Sequence, residues 1–313
     1  MQFGLFLPQA GQTATPAVLK DFAQAAEALG FDALWAGDHL VLPLEQQRSR
    51  YPFNESGRFP VPPDRPWLEP FTLLGYLAAL TERVRLGIAV CILPYRHPIE
   101  NAKMGADLDY LSGGRFILGA GAGWMAEEFA ALDVPYEERG PRTDEQLAAI
   151  TALWTKPRPR FAGRFYRFEN VALEPKPVQR PRPPIWVGGN QPAAQRRAGR
   201  FGDAWHPTIF HVSPADAAAG LARARAAAAR AGRNPQAVDL TLWAPVEITD
   251  APAEAPPWER GVIAGRPDDI AAALAAYRAV GVRHTVLVLG GSPARRLRAM
   301  ELLAREVRPA LTA

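Results

Sequence analysis

Eight short apolar stretches, each followed by an Ala-rich run of helical character, predict an α/β fold of the (β/α)8 TIM-type barrel class. The stretches are continuously apolar rather than alternating, as strands are when a parallel sheet is covered on both faces. The 313 residues also run without a compositional break, so one domain, 1–313, is expected. Barrels of about 250 residues or more fold as one unit. An open doubly wound sheet is the runner-up.

Residues 3–7 supply the first strand signal. A helical run follows over 16–29, opening at Pro16 and closing at Gly30, with proline just inside the start and glycine just past the end. Further strands are expected over 32–36, 84–90, 115–119, 184–188, 203–206, 239–248 and 285–289. Helical runs over 69–80, 98–111, 143–154, 192–201, 213–231, 267–280 and 293–307 alternate with them. The run over 213–231 has Ser213 as cap, Pro214 in its first turn and Gly232 past its end. Three insertions interrupt the alternation after strands 2, 4 and 7, at about 40–67, 156–183 and 250–260. The second contains Phe161-Ala162-Gly163-Arg164-Phe165-Tyr166, which reads as a hairpin. In a parallel barrel the loops that follow strands gather at one rim, where active sites sit. Long insertions at that rim read as lids.

Composition narrows the function. With 48% apolar and 22% charged residues, the chain is not a disordered one. No stretch approaches the roughly 20 apolar residues of a membrane helix. The start, Met1 to Pro8, lacks a basic leader and reads as a strand, so a cytoplasmic protein with no membrane partner is expected. The single Cys91 excludes an internal disulfide framework and a thiolate zinc cluster. His39, His97, His206, His211 and His284 lack metal-ligand spacing, so no metal is expected. The 36 basic and 32 acidic residues are well mixed, and Arg158, Arg160, Arg164 and Arg167 make only a thin basic patch. That argues against nucleic acid and leaves a small molecule, with an anionic ligand as the better use of the net +4 charge.

Four places carry chemistry. Asp38-His39, at the end of the second strand, sets a carboxylate beside an imidazole, a pair able to hold a ring donor and move a proton; capping and packing are their alternative use. Gly87 to Pro94 is a strand end of small and β-branched residues that can support a flat ring from behind, and equally an ordinary core strand. Gly119, Gly121 and Gly123 let a ligand approach the backbone, but their spacing is not that of a dinucleotide fingerprint. A doubly wound nicotinamide enzyme using that stretch is a further alternative. Gly188-Gly189-Asn190-Gln191, ahead of a helix opening at Pro192, offers free backbone N–H groups and a helix dipole to a phosphate; an ordinary βα turn has the same composition. There is no GxSxG elbow and no GxxxxGK[ST] loop.

These pieces, together with Gly4-Leu5-Phe6-Leu7-Pro8, Leu34 to His39, Leu93-Pro94-Tyr95-Arg96-His97-Pro98, Gly114 to Trp124, Glu127-Glu128-Phe129 and Pro184 to Asn190, resemble the bacterial luciferase-like monooxygenase family. More narrowly, the chain is similar to the branch that uses the deazaflavin coenzyme F420. The resemblance runs almost from end to end. It implies a barrel that binds a flavin-type ring at its C-terminal rim. Asp38 and His39 then lie near the ring, with His39 as proton donor or acceptor. The Ala89-Val90 bond falls where relatives have a non-prolyl cis peptide behind the ring, with Cys91 next to it. Gly188, Gly189, Asn190 and Gln191 match the phosphate turn, and Gly121 with Gly123 lines the tail. Trp124 and His206 are assigned to the substrate pocket.

Two departures bear on function. Gln191 stands where relatives often have a hydroxyl residue, which leaves a phosphate to backbone donors. Trp124 stands where sugar-phosphate dehydrogenases have a glutamate, which argues against that chemistry. The expected activity is hydride transfer between F420 and an organic small molecule. One alternative is an FMN-dependent, oxygen-using monooxygenase fed by a flavin reductase. Another is a protein that holds a flavin-type cofactor without turnover. Relatives commonly pair, so a homodimer stays open beside a single chain.

Overall fold

Parallel pairing runs unbroken around eight strands in the computed structural model, which describes residues 1–311. They are β1 (Gln2–Phe6), β2 (Ala33–Ala36), β3 (Arg85–Ile88), β4 (Phe116–Gly121), β5 (Ile185–Gly188), β6 (Ala204–His206), β7 (Asp239–Ile248) and β8 (Val282–Leu289). Each pairs with the next, and β8 closes on β1 with His284 opposite Gln2. The barrel expected from the alternation is the one observed. Residues 312–313 of the expected domain lie outside the described residues.

The helices between strands are α1 (Pro16–Ala28), α2 (Pro70–Ala78), α3 (Pro98–Leu111), α4 (Arg139–Thr155), α5 (Pro192–Phe201), α6 (Pro214–Arg230), α7 (Pro267–Ala279) and α8 (Pro293–Leu302). All but α4 open on proline, whose missing N–H costs nothing at a position with no intrahelical acceptor. Thr15, Glu69, Ser213 and Ser292 each accept a first-turn N–H with their side chains. No helix among the described residues is long and apolar enough to cross a membrane.

Two apolar layers result. One lies between the strands and the helices; the other fills the barrel with Ala33, Trp35, Ile117, Trp186, Ala204 and Val286. Trp35 needs room from both neighbouring strands. A Cβ on Gly4 of β1 would lie 2.3 Å from its Nε1, and one on Gly87 of β3 would lie 2.3 Å from its ring carbons. The fully buried indole therefore occupies space that two glycines leave open.

The insertions differ in what they do. Residues 40–67 follow β2 directly and cover the C-terminal rim. The 156–183 segment follows α4 rather than a strand, so it braces the outer wall instead of acting as a lid. Its Phe161–Ala162 and Arg167–Phe168 pair as the expected hairpin. Glu145 of α4 accepts N–H bonds from Arg164, Phe165 and Tyr166, and Asp109 of α3 accepts those of Val178 and Gln179. After the third insertion, Ile263–Gly265 adds a short parallel strand to the end of β7. Three residues are too few to show a strand pattern in sequence.

Candidate active site

The strand ends carrying the motifs converge. Asp38, His39, Ala89, Val90, Trp124, Gly188, Gly189 and His206 all line one cavity. They come from the ends of five consecutive strands, β2 to β6.

The floor of the cavity is shaped by a break in the third strand. β3 stops at Ile88, the peptide between Ala89 and Val90 is cis, and the chain resumes as Cys91–Ile92 beside β4. Val90 then sits where adjacent strands lack side chains. A Cβ on Gly121 would lie 2.4 Å from Val90 Cγ2, and one on Gly188 would lie 2.6 Å from Val90 Cγ1. Gly121 thus backs the bulge and does not itself line the cavity. Gly123, at φ +85°, packs against Phe129 and Ile92. Cys91 is fully buried behind the bulge, with its Sγ 3.8 Å from Asn101 Oδ1 and 3.9 Å from Arg96 Nη1. Burial, with Asp38 nearby, pushes its thiol pKa well up.

Asp38 and His39 leave β2 in different company. The Asp38 carboxylate takes both guanidinium nitrogens of Arg96 at 2.8 Å and the N–H of Ile92 at 2.8 Å. That bidentate pair fastens the end of β2 to the restarted third strand. His39 Nδ1 lies 2.5 Å from Oε2 of Glu128, which is fully buried on the short helix Ala126–Ala131. The same oxygen accepts the Tyr95 hydroxyl at 2.9 Å, while Oε1 accepts the N–H groups of Leu40 and Val41. A carboxylate accepting from every side fixes the hydrogen on Nδ1 and leaves His39 Nε2 for the cavity.

The lid is fastened by the neighbouring acid. Glu127 Oε1 accepts the consecutive N–H groups of Gln47, Arg48 and Ser49, and Ser49 Oγ accepts the Ala126 N–H. Burial raises the Glu127 pKa, but these hydrogen bonds outweigh it and hold the carboxyl at about 2. Buried Gln9 ties the two ends of the loop, bonding the N–H and C=O of Gly37 and the C=O of Leu68. Gly37 is closely packed here, since a Cβ on it would lie 3.0 Å from both Phe6 and Trp67. From the lid, Tyr51, Phe53, Phe59 and Trp67 face the cavity beside Trp124. Burial pushes the Tyr51 hydroxyl up to about 12.

At the opposite side β5 turns into α5. Gly189 adopts φ +116°. The Asn190 side chain is spent on the next loop, donating to Thr208 Oγ1 and Phe210 O and accepting from Thr208 N. Gln191 occupies the cap position without capping. Among the described residues, the backbone N–H groups of Asn190 and Gln191 have no partner. Two amides and the positive end of a helix are therefore open to an anion.

His206 lies deeper. Its Nδ1 is 2.7 Å from Thr241 Oγ1, which itself donates to Trp205 O, while Nε2 is buried without a partner. Burial pulls its pKa down to about 3, so the ring is neutral.

Sequence reasoning assigned no role to Glu127, Glu128, Gln9 or Arg96. The acidic pair was visible as a motif, but its partners lie about 80–90 positions earlier in the chain.

Comparison with known proteins places this arrangement. A family model described as luciferase-like monooxygenase matches residues 1–257. The chain belongs to that family. Members are oxidoreductases and monooxygenases. A phthiodiolone/phenolphthiodiolone dimycocerosates ketoreductase of Mycobacterium tuberculosis is 34% identical to this family member over 273 residues, 85% of the chain and 66% of the relative. The family member spans 62% and 66% of the length of the curated relatives it matches. Among solved structures, the monooxygenase RslO1 from Streptomyces bottropensis is 26% identical, with a TM-score of 0.76 over 99% of each chain. The coenzyme F420-dependent tetrahydromethanopterin reductase from Methanopyrus kandleri, at 17% identity and a TM-score of 0.78 over 99% of each chain, shares the fold.

Proposed function

We propose that this luciferase-like protein is an F420-dependent oxidoreductase that moves a hydride between the deazaflavin and an organic carbonyl or alcohol. The observation that carries the reading is His39, held through Nδ1 by buried Glu128 with Nε2 left for a cavity floored by the Ala89-Val90 bulge.

The residues present fit a flat ring with an anionic tail. Val90 and Gly188 give a smooth floor, and the unpartnered amides of Asn190 and Gln191 suit a phosphate. A deazaflavin held there would supply hydride-transfer chemistry in either direction. His39 in its protonated form gives the Nε2 proton to the carbonyl oxygen as the carbon gains the hydride, so the C=O π pair becomes the new O–H bond. In reverse, neutral Nε2 takes the alcohol proton. Glu128 holds the Nδ1–H in both states. Asp38 acts as a positioning residue, since its carboxylate is committed to Arg96 and Ile92. The 40–67 lid excludes water from the exchange.

The ketoreductase relative supports carbonyl chemistry, and the kinship with RslO1 favours the second reading, an FMN-dependent monooxygenase. Titration of the purified protein with each cofactor tests the choice. Tight F420 binding with weak FMN binding is expected. Tight FMN binding with oxygen-dependent turnover overturns it, and tight binding without turnover of any carbonyl leaves a cofactor-holding protein.

A further inference from the structure

Building on the reading of this cavity as a seat of hydride transfer, we infer that the substrate is a neutral aromatic ketone, or its alcohol, and not a charged metabolite.

The cavity wall opposite the Val90 floor is a shell of aromatic rings. Tyr51 meets Trp124 edge-on at 5.2 Å, and Phe59 lies 5.5 Å from Trp67 and 5.8 Å from Trp124. On the barrel side, Phe6 and Trp243 cross edge-to-face at 6.1 Å. The lid rings are only half-buried, so they retain ring faces and edges for a ligand. A planar conjugated guest satisfies them by offset and edge-to-face packing, which an alkyl chain of equal area does not reproduce.

Charge points the same way. No lysine or arginine lines the cavity. Of its ionisable side chains, Asp38 is already paired with Arg96 and His39 with Glu128, and His206 is neutral. A carboxylate or phosphate on the substrate would enter this space with no counter-charge to meet it, and an unpaired buried ion is strongly disfavoured. The anion-binding amides of Asn190 and Gln191 belong to the cofactor's tail in the proposed function. One polar feature of the shell is unspent: the Trp67 Nε1–H is buried without a partner. A single acceptor oxygen on the guest would satisfy it.

Three probes of similar size separate the alternatives: methyl naphthyl ketone, methyl octyl ketone and acetylnaphthoate. Equilibrium dialysis is run on the full chain with and without F420. The naphthyl ketone should bind about tenfold tighter than the octyl ketone and about a hundredfold tighter than the acid. In Phe59→Leu and Tyr51→Leu, checked for folding by near-UV dichroism, the preference for the naphthyl ketone should shrink to about threefold or less. Equal or tighter binding of the octyl ketone, or of the acid, overturns the inference, as does an aromatic preference that survives both substitutions. The proposed function fails separately: the naphthyl preference then holds in dialysis while F420 neither binds nor reduces the ketone.

Discussion

Glu127 and Glu128, adjacent on one short helix, grip two points of the same loop: Glu128 takes His39 and the N–H groups of Leu40 and Val41, and Glu127 takes those of Gln47, Arg48 and Ser49. The imidazole proposed to move the proton and the loop above it are thereby registered against one turn of helix.

Glu128→Gln tests the first grip. The amide keeps the volume but no longer supplies a carboxylate to the Nδ1–H. The value of kcat should fall about 100-fold, with the cofactor Kd changed by about threefold or less. A matching loss of cofactor affinity would show that Glu128 only shapes the pocket.

Glu127→Ala tests the second. Freed from Glu127, the loop carrying Arg48, Arg50 and Arg58 should be cut by trypsin about tenfold faster, with little change in the melting temperature. The wild-type carboxyl is held at about 2 against an ordinary 4.5. Its anchoring is therefore complete above pH 4.5 and fades as pH falls towards 2. Cleavage of the wild-type loop should be no faster at pH 5 than at pH 7.

Gly188→Ala and Gly121→Ala drive a methyl into Val90. Each should destabilise by about 1–3 kcal/mol and weaken cofactor binding, seen in urea titrations and dialysis. Gly75 in α2 is the control, since a Cβ there meets nothing within 4 Å. Gly75→Ala should stabilise by up to about 1 kcal/mol.

His206 and His284 are buried neutral, and burial lowers each to about 3 from 6.5. Above pH 6.5 neither folded nor unfolded chain is protonated at these rings. Between 6.5 and 3 the unfolded chain binds the extra protons, so stability falls as pH drops through that window. At pH 5 the loss should be about 2 kcal/mol per histidine relative to pH 7. His284→Gln should remove one histidine's share of the slope, read from urea midpoints at the two pH values. An unchanged slope would contradict a neutral His284.

The strand–helix alternation was legible because each strand is buried on both faces, which leaves continuous apolar runs such as Ala33–Ala36 and Ile185–Gly188. The convergence of Asp38, Val90 and Gly188 followed from the rule that post-strand loops share a rim. What carried no local signal was pairing across the chain. Nothing near His39 announces Glu128, 89 residues on, or near Asp38 announces Arg96. The 156–183 segment misled because its length looked like a lid, while its attachment after a helix sends it to the outer wall.

Trp35, seated between Gly4 and Gly87, stops up the barrel from within. In the proposed function the cofactor and its substrate both enter at the rim, beneath the 40–67 loop. Whichever lies deeper must arrive first and depart last, so steady-state kinetics should follow an ordered sequence, with the shallower guest inhibiting release of the one below.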